Sequence, residues 1–127
     1  MALSFDTTFL IDLYRELGRG VEGRAFRFLQ AHAEHELHLS VVVVAEFATG
    51  FDELESPILQ ETVRRFIIHA IDVPVAHVYR EIFRSLKRSG RLIGANDLWI
   101  AATSMKANLP LVTRNTREFL RVSGLDV

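Results

Sequence analysis

The sequence contains no cysteine, only three prolines and seven glycines, and no excess of positive charge. The absence of cysteine excludes disulfides, zinc–thiolate sites and thiol nucleophiles. Fifteen basic and sixteen acidic side chains give a net charge of −1. This balance excludes a strongly basic nucleic-acid-binding domain. A polyanionic partner would therefore have to be held by a local basic patch or through metal ions.

Long apolar runs are also absent. No stretch of about 18 apolar residues occurs, and residues 1–6 lack the basic start and apolar segment of a signal peptide. We therefore expect a cytoplasmic protein with no membrane partner.

The length of 127 residues corresponds to one domain, and no Pro-, Gly- or Ser-rich linker interrupts the chain. A single domain over residues 1–127 is therefore expected. Apolar residues make up 49% of the chain, which is high for a small monomer and predicts a buried intermolecular interface.

Short apolar runs alternate with amphipathic segments along the chain. Strands are predicted at 3–5, 37–39, 70–73, 109–113 and 125–127. Helices are predicted at 7–17, 21–32, 41–51, 57–68, 74–89 and 95–107. The alternation of strands and helices predicts an α/β fold, a three-layer α/β/α sandwich with a mainly parallel central sheet.

Polar residues before the predicted helices are candidate caps. Thr7 or Thr8 can cap the first helix, Ser40 the third and Ser56 the fourth. Residues 41–44 also have the β-propensity to extend the preceding strand. The helical spacing of the apolar residues that follow favours a helix that begins after Ser40.

Three acidic residues occupy positions that favour a functional role. Asp6 follows the first predicted strand, and ligands of open parallel sheets bind at the carboxyl ends of strands. Glu46 and Asp97 each lie in an otherwise apolar helical segment. Structural roles remain open for all three: Asp6 as a helix cap, Glu46 on a solvent-exposed helix face, and Asn96 or Asp97 as a cap.

The three acids together suit a divalent metal ion. Mg²⁺ and Mn²⁺ prefer oxygen ligands, and they are commonly held by one or two carboxylates with water and substrate phosphate. Clustered carboxylates without a cation repel one another, so a metal ion would stabilise the cluster. A metal ion also lowers the pKa of bound water and neutralises charge on a phosphodiester, which makes an acidic nuclease physically reasonable.

Four motifs in order resemble the PIN domain, specifically the VapC-type toxin ribonucleases of prokaryotic toxin–antitoxin pairs. They are FDTTFLI at 5–11, SVVVVAEF at 40–47, GANDLWIAA at 94–102 and LVTRNTREF at 111–119. The resemblance covers nearly the whole chain. It implies a parallel sheet flanked by helices and hydrolysis of RNA that leaves 5′-phosphate and 3′-hydroxyl ends. It also implies a cognate VapB-type antitoxin, and a homodimer that can form a heterotetramer or a larger assembly with it.

The resemblance further implies a catalytic site that holds Mg²⁺ or Mn²⁺. Asp6 and Asp97 match the principal metal ligands, and Glu46 matches a direct or indirect ligand that orients the attacking water. Asn115 stands where many relatives have a fourth acid and is expected to act in catalysis as a polar contact to metal-bound water or phosphate, and Glu118 could supply the missing charge nearby. Thr8 replaces an asparagine common two residues after the first acid, a position that does not bind metal.

Residues near the fourth motif are candidates for substrate binding. Thr113 is expected to hydrogen-bond Asp6 or a water molecule on the metal, and Arg114 and Arg117 are candidates for RNA phosphates, with Glu118 beside them. Two other classes of protein stay open. One is a PIN-like binding scaffold without catalysis, and the other is a receiver-like signalling domain with a phosphoacceptor Asp.

Overall fold

Four strands and seven helices alternate along the chain in a computed structural model that describes residues 1–127. The strands are β1 (Ala2–Phe5), β2 (Glu36–Ser40), β3 (Ile67–His69) and β4 (Leu111–Val112). The helices are α1 (Thr7–Arg19), α2 (Arg24–Ala31), α3 (Val41–Ala48), α4 (Pro57–Arg64), α5 (Val73–Arg88), α6 (Ala95–Lys106) and α7 (Thr116–Phe119). No helix is long and apolar enough to cross a membrane.

The strands form one parallel sheet in the order β3-β2-β1-β4. The chain builds the sheet outward from β1 to β2 and β3, and then returns to add β4 on the other side of β1. The order of strands therefore reverses between β1 and β4. In open α/β sheets a crevice for ligands forms at the carboxyl ends of the strands beside such a reversal.

Helices cover both faces of this sheet. Successive residues of a strand point to opposite faces of the sheet, so neighbouring residues of β1 identify the helices that pack on each face. The Phe5 ring packs against Phe9 of α1, with ring centroids 4.6 Å apart, and against Phe28 of α2. The neighbouring Ser4 hydroxyl is 2.8 Å from the hydroxyl of Ser104 on α6. The predicted three-layer α/β/α sandwich is therefore confirmed.

Two of the five predicted strands are wrong. No strand forms at 70–73, because the side chain of Asp72 accepts a hydrogen bond from the amide of Val75 at 3.0 Å and caps α5. The third strand lies earlier, at Ile67–His69. No strand forms at 125–127 either, where the amide of Leu111 donates a backbone hydrogen bond to Asp126.

Several helix boundaries also differ from the prediction. The second helix begins at Arg24, because the Glu16 carboxylate accepts the amides of Ala25 and Phe26 at 3.0 and 2.9 Å and organises its first turn. The fourth helix ends at Arg64 rather than near residue 68, which leaves Ile67–His69 free to join the sheet. The short helix α7 was not predicted.

The third helix begins where the sequence indicated. Ser40 ends β2, and its hydroxyl accepts a hydrogen bond from the amide of Val42 at 3.1 Å, so it caps α3 as predicted. Thr103 of α6 donates to the same hydroxyl at 3.3 Å. Ser56 occupies the corresponding position before α4, but its side chain makes no capping hydrogen bond.

We expect Ser40→Ala to lower the free energy of unfolding by about 1 kcal/mol, because it removes the cap of α3 and leaves the amide of Val42 unsatisfied. Ser56→Ala is the matched control, since its hydroxyl caps nothing, and it should change stability by less than about 0.5 kcal/mol. Urea denaturation of the three proteins measures both values. Equal losses in the two variants would contradict the role of the Ser40 hydroxyl.

Candidate active site

The crevice beside the strand reversal brings together residues from the two ends of the chain. Phe5 and Val112 are paired in the β1–β4 register, and the amide of Asp6 donates to the carbonyl of Val112 at 3.3 Å. Asp6 and Thr113 are the first residues beyond these paired positions. They therefore meet at the carboxyl edge of the sheet, where ligands of this class of fold bind.

Asp6 is almost completely buried, with 2% of its surface exposed. One carboxylate oxygen, Oδ1, accepts hydrogen bonds from the Thr8 hydroxyl at 2.7 Å and the Phe9 amide at 3.2 Å. The other, Oδ2, accepts one from the Thr113 hydroxyl, as predicted. Asp6 itself caps α1, so the prediction that Thr7 or Thr8 is the cap was wrong. The first acid therefore combines the capping role with a place in the crevice.

Glu46 is brought to the same crevice by α3. Its Oε1 accepts a hydrogen bond from the Thr7 hydroxyl at 2.5 Å, and its Oε2 accepts one from the Asn96 amide at 3.1 Å. The donors come from the start of α1 and the start of α6. Glu46 is half-buried between these helices, so the alternative of a freely solvated side chain does not hold.

Asp97 lies in the first turn of α6. Gly94 occupies the N-cap position of this helix, and neither Asn96 nor Asp97 caps it through a side chain, so the capping alternative does not hold. The Asp97 side chain is free for another role. It is half-buried, and it lies close enough to Glu46 and Asp6 for their charges to affect its pKa.

The pKa values of two of these acids record their proximity. Burial raises the pKa of Asp97 to about 6, and the charges of Glu46, Glu118 and Asp6 contribute to the rise. Burial also raises the pKa of Asp6, against the lowering effect of its hydrogen bonds from Thr113, Thr8 and Phe9, and Glu46 raises it further. The tertiary structure thus brings together Asp6, Glu46, Asp97 and Glu118.

No basic side chain neutralises these four acids. The ion pairs formed by arginine involve Glu61, Glu81 and Asp12, all outside the cluster. No group of three Asp, Glu or His side chains is placed so that all three could hold one metal ion. A divalent cation held here would therefore take one or two carboxylates directly and fill its remaining positions with water and phosphate oxygens, as Mg²⁺ commonly does.

The remaining predicted site residues follow β4. The Thr113 hydroxyl accepts a hydrogen bond from the Asn115 amide at 2.8 Å while donating to Asp6, so it is oriented from both sides. The side chain of Asn115 is half-buried and makes no hydrogen bond within the protein. Glu118 lies close enough to Asp97 to raise its pKa, which places a fourth acid at the site as the sequence suggested.

The two candidate arginines differ in their surroundings. Arg114 is bound to Asp12 of α1 at 3.1 Å, and its side chain is 61% exposed. Arg117 is exposed on α7 and forms no ion pair. Both guanidinium groups are accessible to solvent, and neither forms an ion pair with Asp6, Glu46, Asp97 or Glu118.

Sequence reasoning missed two residues that organise the site. Thr7 and Asn96 hold the two oxygens of Glu46, and neither was proposed as a site residue. A local signal existed, because Thr7 directly follows Asp6 and Asn96 directly precedes Asp97. Their contact with Glu46 could not be inferred, since it depends on how the starts of α1 and α6 pack against α3 in the folded chain.

A family model of the PIN domain matches residues 4–125. The chain belongs to the PIN domain family. This confirms the resemblance that the four sequence motifs indicated. The family match spans all four motifs, the second half of β1 and all of β4, so the crevice described above is part of the PIN domain itself.

Relatives with known names lie within this family. The chain is 31% identical over 118 residues to ribonuclease VapC1 of Methanocaldococcus jannaschii, covering 92% of this chain and 78% of the relative. It is 28% identical over 131 residues to ribonuclease VapC1 of Haemophilus influenzae strain R2866, covering 98% and 95%. Both relatives carry the name of a ribonuclease.

Solved structures share the fold. A structure of VapBC-1 from nontypeable Haemophilus influenzae superposes with a TM-score of 0.81 at 26% identity, over 99% of this chain and 96% of that chain. A structure of DNA-bound VapBC from Salmonella typhimurium gives a TM-score of 0.83 at 21% identity, over 99% and 96%, which shows the fold alone. The PIN sandwich found here is therefore the fold of experimentally determined proteins.

We expect Asp97→Asn to raise the melting temperature of metal-free protein at pH 8 and to have a smaller effect at pH 5. The folded-state pKa of about 6 lies above the ordinary value of 3.8, so the folded protein binds the extra proton. Wild-type stability therefore falls as pH rises from about 4 through 6, and the neutral amide avoids that loss. Thermal unfolding in EDTA at both pH values measures the difference.

Glu61→Gln is the control for that measurement, because Glu61 is exposed on α4 and lies outside the acidic cluster. It should give the same small change at both pH values. A melting-temperature difference for Asp97→Asn that does not grow between pH 5 and pH 8 would contradict the repulsion described here.

Proposed function

We propose that this PIN domain protein is a metal-dependent endoribonuclease and the toxin of a VapBC-type toxin–antitoxin pair. The observation that carries the proposal is the convergence of Asp6, Glu46 and Asp97 at the strand reversal with no basic residue to neutralise them. Two relatives named ribonuclease VapC1 support the reaction class. Acidic side chains that lie close together without a counter-charge destabilise the folded protein. Binding a divalent cation that acts on an RNA phosphodiester would explain why they are present.

The donor set fits Mg²⁺ or Mn²⁺. All the candidate ligands are carboxylates, which are hard oxygen donors, and the cluster contains no sulfur or imidazole ligand. Asp6 and Asp97 would hold the ion directly, and Glu46 would contact it or its water molecules. When bound, the ion would neutralise charge on the scissile phosphate and lower the pKa of water.

The side chains of this protein would supply the orientation for hydrolysis. Thr113, Thr8 and the Phe9 amide hold the Asp6 carboxylate in one position. Thr7 and Asn96 do the same for Glu46, so its carboxylate is directed into the crevice where it can orient the attacking water. The free side-chain amide of Asn115 is available for a phosphate oxygen.

The protein partners follow from the relatives. The solved structure from Haemophilus influenzae is of VapBC-1, and we propose that this chain likewise binds a VapB-type antitoxin. We also propose a homodimer that assembles with antitoxin into a heterotetramer or a larger complex. Large apolar side chains exposed on the isolated chain, including Leu17, Ile58, Val73 and Leu120, support such interfaces.

Two alternative functions carry less support. The PIN family match excludes a receiver-like signalling domain. An inactive binding scaffold would have no use for an uncompensated acidic cluster, yet the three principal acids are present and converge. Catalysis is therefore the function that the geometry supports best.

We expect Asp97→Asn to reduce cleavage of RNA by at least about a thousandfold with the fold retained, because it removes a charged ligand of the metal ion. EDTA should abolish wild-type cleavage, and added Mg²⁺ or Mn²⁺ should restore it. Gel analysis of a structured RNA, with sequencing of the 5′-phosphate ends, measures the activity. Circular dichroism checks the fold.

Asp52→Asn is the matched control, because Asp52 is an exposed acid between α3 and α4 that takes no part in the cluster. It should cleave like the wild type. Full activity of purified Asp97→Asn, or cleavage that persists in EDTA, would refute the metal assignment. Cleavage by neither wild type nor Asp52→Asn under any metal would favour the scaffold.

A toxin should also act in cells. Induced expression of this chain alone should arrest bacterial growth, and co-expression of the VapB-type antitoxin that we propose as its partner should restore growth. Asp97→Asn should be harmless under the same induction, because growth arrest requires cleavage. Equal arrest by wild type and Asp97→Asn would show that toxicity does not come from RNA hydrolysis.

A further inference from the structure

A cavity of about 230 Å³ opens directly beside the acidic cluster. It lies between α1, α2 and the end of β4, and three of its lining residues, Phe9, Val112 and Thr113, also form hydrogen bonds with Asp6. Phe9 and Phe28 supply its aromatic walls, with ring centroids 5.8 Å apart in an edge-to-face arrangement. Asp12, Arg24 and Arg114 supply the charged groups at its rim.

Thr113 joins the cavity to the acidic cluster. Its side chain lines the cavity, and its hydroxyl donates to the carboxylate of Asp6. A group seated in the cavity is therefore separated from the first acid by a single side chain. In a chain-like substrate, that separation corresponds to neighbouring units rather than to a remote site.

The charges at the rim suit a polyanion. Arg24 is exposed and forms no ion pair or hydrogen bond with the protein, so its guanidinium is available. Arg114 is also exposed but is held in place by Asp12 at 3.1 Å. Because the acidic cluster repels phosphates and the whole chain has a net charge of −1, RNA must be attracted by local cations of this kind.

The remaining features suit a nucleobase. Bases of single-stranded RNA are recognised by contact with aromatic side chains and by hydrogen bonds to their polar edges. The cavity offers the partly exposed ring of Phe28 for the first, since Phe9 is only 7% exposed, and the carboxylate of Asp12 for the second. His32 stacks on Phe28 with ring centroids 4.1 Å apart, so a base would contact the part of the ring that faces the cavity. Asp12 is partly buried, with its side chain 26% exposed, and Arg114 fixes its orientation.

We propose that this cavity is a nucleotide subsite that receives one unpaired base of the RNA adjacent to the scissile phosphate. Arg24 and Arg114 bind the flanking phosphates, and Asp12 accepts a hydrogen bond from the edge of the base. This inference rests on the proposed ribonuclease function and extends it, because it names residues that select where the RNA is cut.

Binding is measured first, in Asp97→Asn protein so that the RNA stays intact. Fluorescence anisotropy compares single-stranded RNA hexamers with the same hexamers carrying one abasic position. Loss of the base at one position should weaken binding at least about fivefold. The loss of affinity caused by the abasic position should be smaller in the double variant that also carries Phe28→Leu. Because Phe28 is part of the core, urea denaturation must first show that this variant is folded.

Arg24→Ala, also in Asp97→Asn protein, should raise the Kd of the hexamers at least about fivefold and reduce the slope of log Kd against log salt by about 0.7. Arg27→Ala is the matched control, because Arg27 is on the same helix, binds the Glu22 carbonyl and does not line the cavity. It should leave both quantities unchanged. Equal effects of the two substitutions would overturn the proposal.

Asp12→Asn in otherwise wild-type protein tests the base contact without touching the core. Sequencing of cleavage ends should show a changed nucleotide preference beside the cut, since an amide donates where the carboxylate only accepts. An unchanged preference, together with no abasic penalty at any position, would overturn the subsite. Weaker antitoxin binding with unchanged RNA binding would assign the cavity to the antitoxin and also overturn it.

These measurements separate the subsite from the ribonuclease activity. Hydrolysis of bis(p-nitrophenyl) phosphate, a phosphodiester without a base, reports on the metal site alone. Absence of RNA and bis(p-nitrophenyl) phosphate hydrolysis in wild-type protein would refute the proposed function. An abasic penalty that persists in that case would still support the subsite, because the binding measurement needs no cleavage.

Discussion

The side-by-side pairing of β1 and β4 is the constraint on which the site depends. These strands come from opposite ends of the chain, and their register places Asp6 next to Thr113. The Thr113 hydroxyl helps to satisfy a carboxylate that burial would otherwise make costly. If the two strands did not pair, the buried acid would lose a hydrogen-bond donor and the crevice would lose one wall.

Stability and function are opposed at this crevice. Asp6, Glu46, Asp97 and Glu118 lie close together without a compensating cation, and burial together with the charges of its neighbours raises the pKa of Asp97 to about 6. The fold limits the cost of this arrangement with short-range hydrogen bonds. Hydroxyl and amide groups donate hydrogen bonds to Asp6 and Glu46, whereas the side chain of Asp97 neither caps its helix nor accepts such a bond. An acid that is not neutralised by an ion pair stays available for the metal ion that we propose.

Much of the fold and the site could be predicted because local signals agreed with the tertiary structure. The strand before Asp6 and the cap at Ser40 depend on nearby residues, and both predictions were confirmed. The strands predicted at 70–73 and 125–127 were wrong, because short apolar runs do not reveal which backbone groups find a partner in the sheet. At 70–73, the side chain of Asp72 caps α5, so the chain enters a helix there instead of forming a strand.

The sequence alone determined the family and the candidate site residues, because its four ordered motifs contain Asp6 after the first strand and Glu46 and Asp97 in apolar helical segments. Only the tertiary structure decided what those acids contact. Thr7 and Asn96 donate hydrogen bonds to Glu46, and Glu118 lies close to Asp97. The residues in each of these pairs belong to different helices and are separated by tens of positions in the chain. Such contacts depend on strand order and helix packing, which periodicity along the chain does not encode.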